Sequence, residues 1–267
     1  MKRLLGIVFV TCLVSMAFAQ KEGTPDRTPG DLMSPAALVG GAGVDALAYG
    51  TGFEEFTIGD IDLQNGWSGQ WANWQIVNTN PYAGAQNLES VSDGFGQTLA
   101  FSPEVGIGTE DLNFTSFMVA INGSGVTWQF IPQSPTDALV CTRLQIDPTG
   151  AMSAMIDDGL GGAVMQSFPA TLSSGYHQVI IESSRTTKMF RVLIDGSEVF
   201  SGLGFSGNQE QFVLLSLMEV TGSTMLMDEL VINDGAFLTV PTMGTWGMIA
   251  LCGIMCAMAI VFIRRRN

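Results

Sequence analysis

The sequence predicts an all-β domain, a sandwich of two antiparallel sheets, across residues 52–236. Three observations lead there. Apolar and polar residues alternate with a period of two in one short run after another. Clusters of Gly, Asn, Asp, Pro and Ser separate those runs at turn spacing. Between the two chain ends no amphipathic helix pattern of useful length appears. A segment of this length is enough for one large sandwich or barrel domain.

The runs can be taken in order. Phe117, Val119 and Ile121 alternate with Met118 and Ala120. Val140, Thr142, Leu144 and Ile146 alternate with Cys141, Arg143 and Gln145, and Asp147-Pro148-Thr149-Gly150 then makes a turn. Val179 and Ile181 alternate with Gln178 and Glu182, and His177 falls in register with the two aliphatics, as a packed strand residue. Phe190, Val192 and Ile194 alternate with Arg191, Leu193 and Asp195, which predicts the first three buried and Arg191 exposed. Asp195-Gly196 predicts a type I′ hairpin turn, whose two central residues both need positive φ. In the last run Asp228 shares a face with Leu226, Leu230 and Ile232.

Both ends carry targeting signals, which stand apart from the fold. Residues 1–19 have the order of a signal peptide: basic Lys2 and Arg3, the apolar run Leu4 to Val14, and the small-residue site Ala17-Phe18-Ala19 for signal peptidase. Residues 20–51, with Pro25, Pro29, Pro35 and the Gly40-Gly41-Ala42-Gly43 run, form a flexible linker. Residues 237–267 hold an apolar stretch from Met248 to Ile263, closed by Arg264, Arg265 and Arg266. That stretch is short for a membrane span, but Trp246 and snorkelling arginines extend it. The arginines stay in the cytoplasm, so the domain faces outward.

Charge and cysteines narrow the function classes. Between the terminal signals six basic residues stand against twenty-five acidic ones, a net charge of −19. Such a surface repels nucleic acid and favours divalent cations. Of the four cysteines only Cys141 lies in the domain, so no intramolecular disulfide forms there and a packed core must supply the stability.

Two stretches resemble known families. Tyr176-His177-Gln178-Val179 followed by Arg191 and the Asp195-Gly196 hairpin resembles the strand–hairpin–strand signature of laminin-G-like domains. Gly52-Phe53-Glu54-Glu55-Phe56 with Asn65-Gly66-Trp67 looks like the opening of bacterial members, and Leu226 to Ile232 like their closing strand. The resemblance implies a concanavalin A-like jelly roll. In related jelly rolls a glutamate on the first strand and an aspartate on the last share a structural calcium, and Glu54 and Asp228 are the matching positions. A backbone N–H or a serine hydroxyl would satisfy Asp228 as well. The tail, with Val240, Pro241, Thr242, Met243, Trp246 and Gly247 ahead of the apolar helix and the arginines, resembles the IPTL-CTERM signal, a relative of PEP-CTERM. It implies an exosortase-like processing enzyme as partner, with the membrane engaged through the helix.

The chemistry on offer is sparse. No zinc spacing, G-x-S-x-G elbow or glycosidase carboxylate pattern occurs, and the expectation is a protein that is not an enzyme. Trp67, Trp71, Trp74 and Tyr82 cluster in a Gly/Asn/Gln-rich stretch and form a candidate glycan platform. The expected function is an exported cell-surface or secreted protein binding carbohydrate or matrix polymer. The alternatives are a structural matrix component and a divergent glycan-active enzyme.

Overall fold

The computed structural model describes residues 49–69, 73–93, 96–106, 108–123, 126–218 and 221–237. The signal peptide, most of the linker, Trp71 and the whole sorting segment from 238 lie outside the described residues. In chain order the strands are β1 (Tyr49–Thr51), β2 (Gly59–Asp60), β3 (Ser68–Gly69), β4 (Trp74–Val77), β5 (Asn87–Asp93) and β6 (Gly96–Phe101). Next come β7 (Leu112–Asn122), β8 (Val126–Ser134), β9 (Leu139–Val140), β10 (Leu144–Ile146), β11 (Ala151–Asp157) and β12 (Ala163–Thr171). The last are β13 (His177–Ser184), β14 (Met189–Ile194), β15 (Ser197–Leu203), β16 (Gln211–Met218) and β17 (Thr221–Asp234).

These strands form two antiparallel sheets. A nine-stranded sheet runs β15-β14-β13-β7-β17-β5-β4-β2, with β1 also paired to β17. An eight-stranded sheet runs β12-β11-β10-β8-β16-β6-β3, with β9 on β8. The chain passes between the sheets several times, and each sheet buries one face against the other, as the period-two pattern requires. The core between them is aromatic-rich: Phe117 of one sheet stacks on Phe130 of the other at 4.8 Å, and Phe212 sits 5.0 Å from Phe117.

The Asp195-Gly196 turn is present, with φ of 50° and 78°. Phe190 and Val192 are buried, Ile194 is half-buried, and Arg191 keeps its side chain partly in solvent. Leu193, expected to face away from the core, is buried too. It joins Phe114 and Ile180 in a small apolar cluster on the outer face, and Phe237 packs on that cluster.

Three expectations need correction. The domain begins before residue 52, because Tyr49–Thr51 pairs with Ile232, Val231 and Leu230. The run 140–146 is not one strand. β9 ends at Val140, and Cys141 turns into the main core with Leu144 and Ile146 while Val140 joins a cluster on the opposite face. In β17 a bulge at Glu229, whose φ is 49°, breaks the alternation. Met227, Leu230 and Ile232 point into the core, so Asp228 does not share the face of Leu230 and Ile232.

Candidate functional site

Asp228 is fully buried, although its strand position faces away from the inter-sheet core. The 82–86 loop covers it. Asp228 Oδ2 accepts the N–H groups of Tyr82 at 3.0 Å and Ala83 at 3.1 Å, and Oδ1 accepts that of Glu229 at 2.8 Å. Burial pushes the Asp228 carboxyl up to about 6, against the pull of those three N–H groups. Glu54 lies in a turn after β1 rather than on a strand, and its Oε1 accepts the N–H groups of Ala85 at 2.6 Å and Gln86 at 2.8 Å. Gly84, at φ 65°, leaves room for this carboxylate: a Cβ there would stand 2.1 Å from Glu54 Oε1.

Two carboxylates thus hold one loop from its two ends. Calcium wants six to eight oxygen ligands. Here the predicted ligand oxygens face N–H donors, which repel a cation. Among the described residues no group of three or more His, Cys, Asp or Glu could hold a metal. The Glu54 and Asp228 oxygens named here are engaged by backbone donors of one loop.

The predicted aromatic platform is dispersed. Trp67 (1 % exposed) and Trp74 (0 %) are core residues. Trp67 packs on Phe53 at 5.9 Å and donates from Nε1 to Tyr49 Oη at 2.7 Å. Trp74 meets Trp128 edge-on at 6.3 Å. Their rings close the sandwich and offer no stacking face to a ligand. Tyr82, at 52 % exposed, is a surface aromatic, paired at 5.5 Å with Tyr176, whose hydroxyl donates to the Asn80 carbonyl at 2.9 Å.

A more chemically equipped surface is the outer face of the eight-stranded sheet, which holds a second apolar cluster that includes Phe101, Ile131, Met155 and Leu215. Amide pairs cross the same face. Gln129 donates to Gln145 at 2.9 Å, and Gln133 to Gln211 at 2.7 Å. Gln129 Oε1 and Arg143 Nε are buried with no hydrogen-bond partner among the described residues. Burial also lowers the pKa of the Arg143 guanidinium. Sequence reasoning missed this face. Its only signal was the polar member of each alternation, Arg143 and Gln145, which looked like ordinary solvated positions.

At one end of the sandwich His177 pairs with Val119 of β7, in register with Val179 and Ile181 as expected. It is more than a packed strand residue. Its Nδ1 lies 2.7 Å from Asp195 Oδ2, and its Nε2 lies 2.9 Å from Ser173 Oγ. The Asp195 carboxylate is itself fixed, because its Oδ1 accepts the Gln178 N–H at 3.0 Å.

No family model matches this sequence, and no curated protein matches it. Solved structures do share its fold. The carbohydrate esterase from the Shiga toxin-encoding bacteriophage phi24B is similar at a TM-score of 0.51 and 13 % identity, over 73 % of this chain and 100 % of that one. A sialidase is similar at a TM-score of 0.51 and 12 % identity, over 70 % of this chain and 18 % of the sialidase. The Crh5 transglycosylase gives a TM-score of 0.48 and 14 % identity, over 73 % and 87 % of the two chains. The likeness is one of fold. It nonetheless overturns the expectation that this chain is not an enzyme. A protein named as a carbohydrate esterase has this fold over its whole length, so a missing glycosidase carboxylate pattern does not make the domain non-catalytic.

Proposed function

We propose that this chain is an exported, glycan-directed protein that receives a saccharide on the outer face of its eight-stranded sheet. The observation that carries the reading is the pair of buried, unpartnered polar atoms there, Gln129 Oε1 and Arg143 Nε. Buried polar groups are nearly always hydrogen-bonded, and an unmet one calls for a partner from outside the chain. A sugar supplies hydroxyls that donate to the amide oxygen and accept from the guanidinium. Neighbours of this fold named for carbohydrate chemistry support the saccharide class.

A glycan array probed with the full-length protein is the test. Arg143→Met is expected to weaken binding to any hit about tenfold or more, the worth of one charge-assisted hydrogen bond. An array without hits, or a hit that Arg143→Met binds as well as wild type, defeats the reading.

Localisation belongs to the same proposal. Signal peptidase removes residues 1–19, the 248–263 helix tethers the protein with Arg264–Arg266 inside, and an exosortase-like enzyme then cuts near Pro241–Gly247. What supports this is the residue order alone. Mass spectrometry of protein recovered from the native cell surface is expected to find neither the helix nor Arg266. A mature form that keeps Arg266 would leave a plain membrane anchor.

A further inference from the structure

We propose that Ser173, His177 and Asp195 form a nucleophilic site that hydrolyses short acyl esters. Three separate local structures bring these residues together. Asp195 sits in the β14–β15 turn, where its positive φ and the hydrogen bond from its N–H to the Gln178 carbonyl at 2.9 Å fix its backbone. His177 opens β13, held by the pairing with β7. Ser173 rides on the segment that crosses from β12 in one sheet to β13 in the other. Gly150 admits that crossing, because a Cβ there would stand 2.8 Å from the Leu172 carbonyl oxygen.

The hydrogen bonds assign the protons. Asp195 Oδ2 is an acceptor, so His177 Nδ1 carries the hydrogen and Nε2 is left as the base. The partner of Nε2 is Ser173 Oγ, whose O–H donates to it at 2.9 Å. A hydroxyl bonded to an imidazole that is in turn oriented by a carboxylate is the arrangement that activates a nucleophilic serine. Ser173 is exposed, and around Gly175, at φ 103°, nothing lies within 4 Å of where a Cβ would stand. Among the described residues the N–H groups of Ser174 and Gly175 donate to no acceptor, and they are the oxyanion donors in this proposal.

The steps balance without any redox partner. Ser173 Oγ bonds to the acyl carbon as its proton passes to His177 Nε2. Collapse of the tetrahedral adduct breaks the ester C–O bond, and the leaving alkoxide takes that proton. Water then adds to the acyl–Ser173 ester with His177 as base, and release of the carboxylic acid restores the Ser173 hydroxyl. A shallow, solvent-facing site suits short acyl groups, and an alkoxide leaves more readily than an amine, hence esters rather than amides.

The test uses the full-length protein with 4-nitrophenyl acetate and a fluorophosphonate probe, neither of which carries a sugar, so its outcome is independent of the glycan reading. Wild type is expected to show saturable hydrolysis and a single fluorophosphonate adduct on Ser173. Ser173→Ala and His177→Gln are expected to lose about 10³-fold or more, and Asp195→Asn about 10²–10⁴-fold. Ser173 and Asp195 are surface residues, so Ser173→Ala and Asp195→Asn should melt as wild type does. Hydrolysis equal in wild type and Ser173→Ala, or a probe that leaves Ser173 unmodified, overturns the proposal.

Discussion

Phe130→Ala is expected to destabilise the domain by about 3–5 kcal/mol, the usual cost of truncating a buried aromatic. Phe130 is fully buried on β8 and stacks at 4.8 Å on Phe117 of the facing sheet, with Phe212 6.3 Å away. The ring therefore spans the space between the two layers, and removing it leaves a void that neither sheet can fill without giving up its register. In a domain of this size each kcal/mol moves the melting temperature by about 2–4 °C, so a fall of about 6–20 °C is expected. Far-UV circular dichroism melts measure it. Tyr82→Ala, at an exposed aromatic, is the control and should shift the midpoint little. Equal shifts for the two variants would mean that the layers do not pack through these rings.

Arg185→Met is expected to cost about as much, about 3–5 kcal/mol, for an electrostatic reason. Asp234, at the end of β17, is almost fully buried and pairs with the Arg185 guanidinium. Its other oxygen accepts the Glu110 N–H at 3.0 Å. Methionine keeps the apolar stem of the side chain but leaves a buried carboxylate without its cation. The double variant Arg185→Met/Asp234→Asn is expected to recover most of the loss, because asparagine is neutral and still accepts from Glu110. Urea titrations of the four proteins form the cycle that decides it. A double variant no better than Arg185→Met would assign the cost to lost packing of the arginine stem.

Much of the fold was legible one strand at a time. The runs at 117–121, 179–182 and 190–194 gave their faces correctly, because alternation in a regular ladder is a local property. The Asp195-Gly196 turn was equally local, since few residue pairs accept positive φ in succession. Where the ladder is interrupted the same logic failed. Val140 to Ile146 reads as one alternation, yet the chain leaves the sheet between β9 and β10 and Cys141 drops into the core. Glu229 takes a left-handed conformation and turns Asp228 to the opposite face from Leu230. Glutamate carries no turn signature that would have announced it.

The candidate sites were less legible than the fold. Trp67 and Trp74 look alike as core or as platform in a sequence, because an indole buries as well as it stacks. Asp228 is buried on the face opposite to the one its alternation with Leu230 and Ile232 implied, where the N–H donors of the distant 82–86 loop meet it. Arg143 gave no sign of being unpaired, since only its surroundings say whether a carboxylate is near.

By itself the sequence determined that this is an acidic, two-layered β domain whose one cysteine leaves its stability to a packed core. Those properties follow from composition, periodicity and turn chemistry, all of which act over a few neighbouring residues. Only the tertiary structure decided which polar groups meet. Ser173 and Asp195 reach His177 from loops 4 and 18 residues away along the chain, one arriving from the opposite sheet and one from a hairpin turn. Asp228 closes on a loop about 146 residues distant. Hydrogen bonds and ion pairs depend on ångström-scale placement by strand register, bulges and sheet crossings. That placement belongs to the assembled sandwich and to no single segment of the chain.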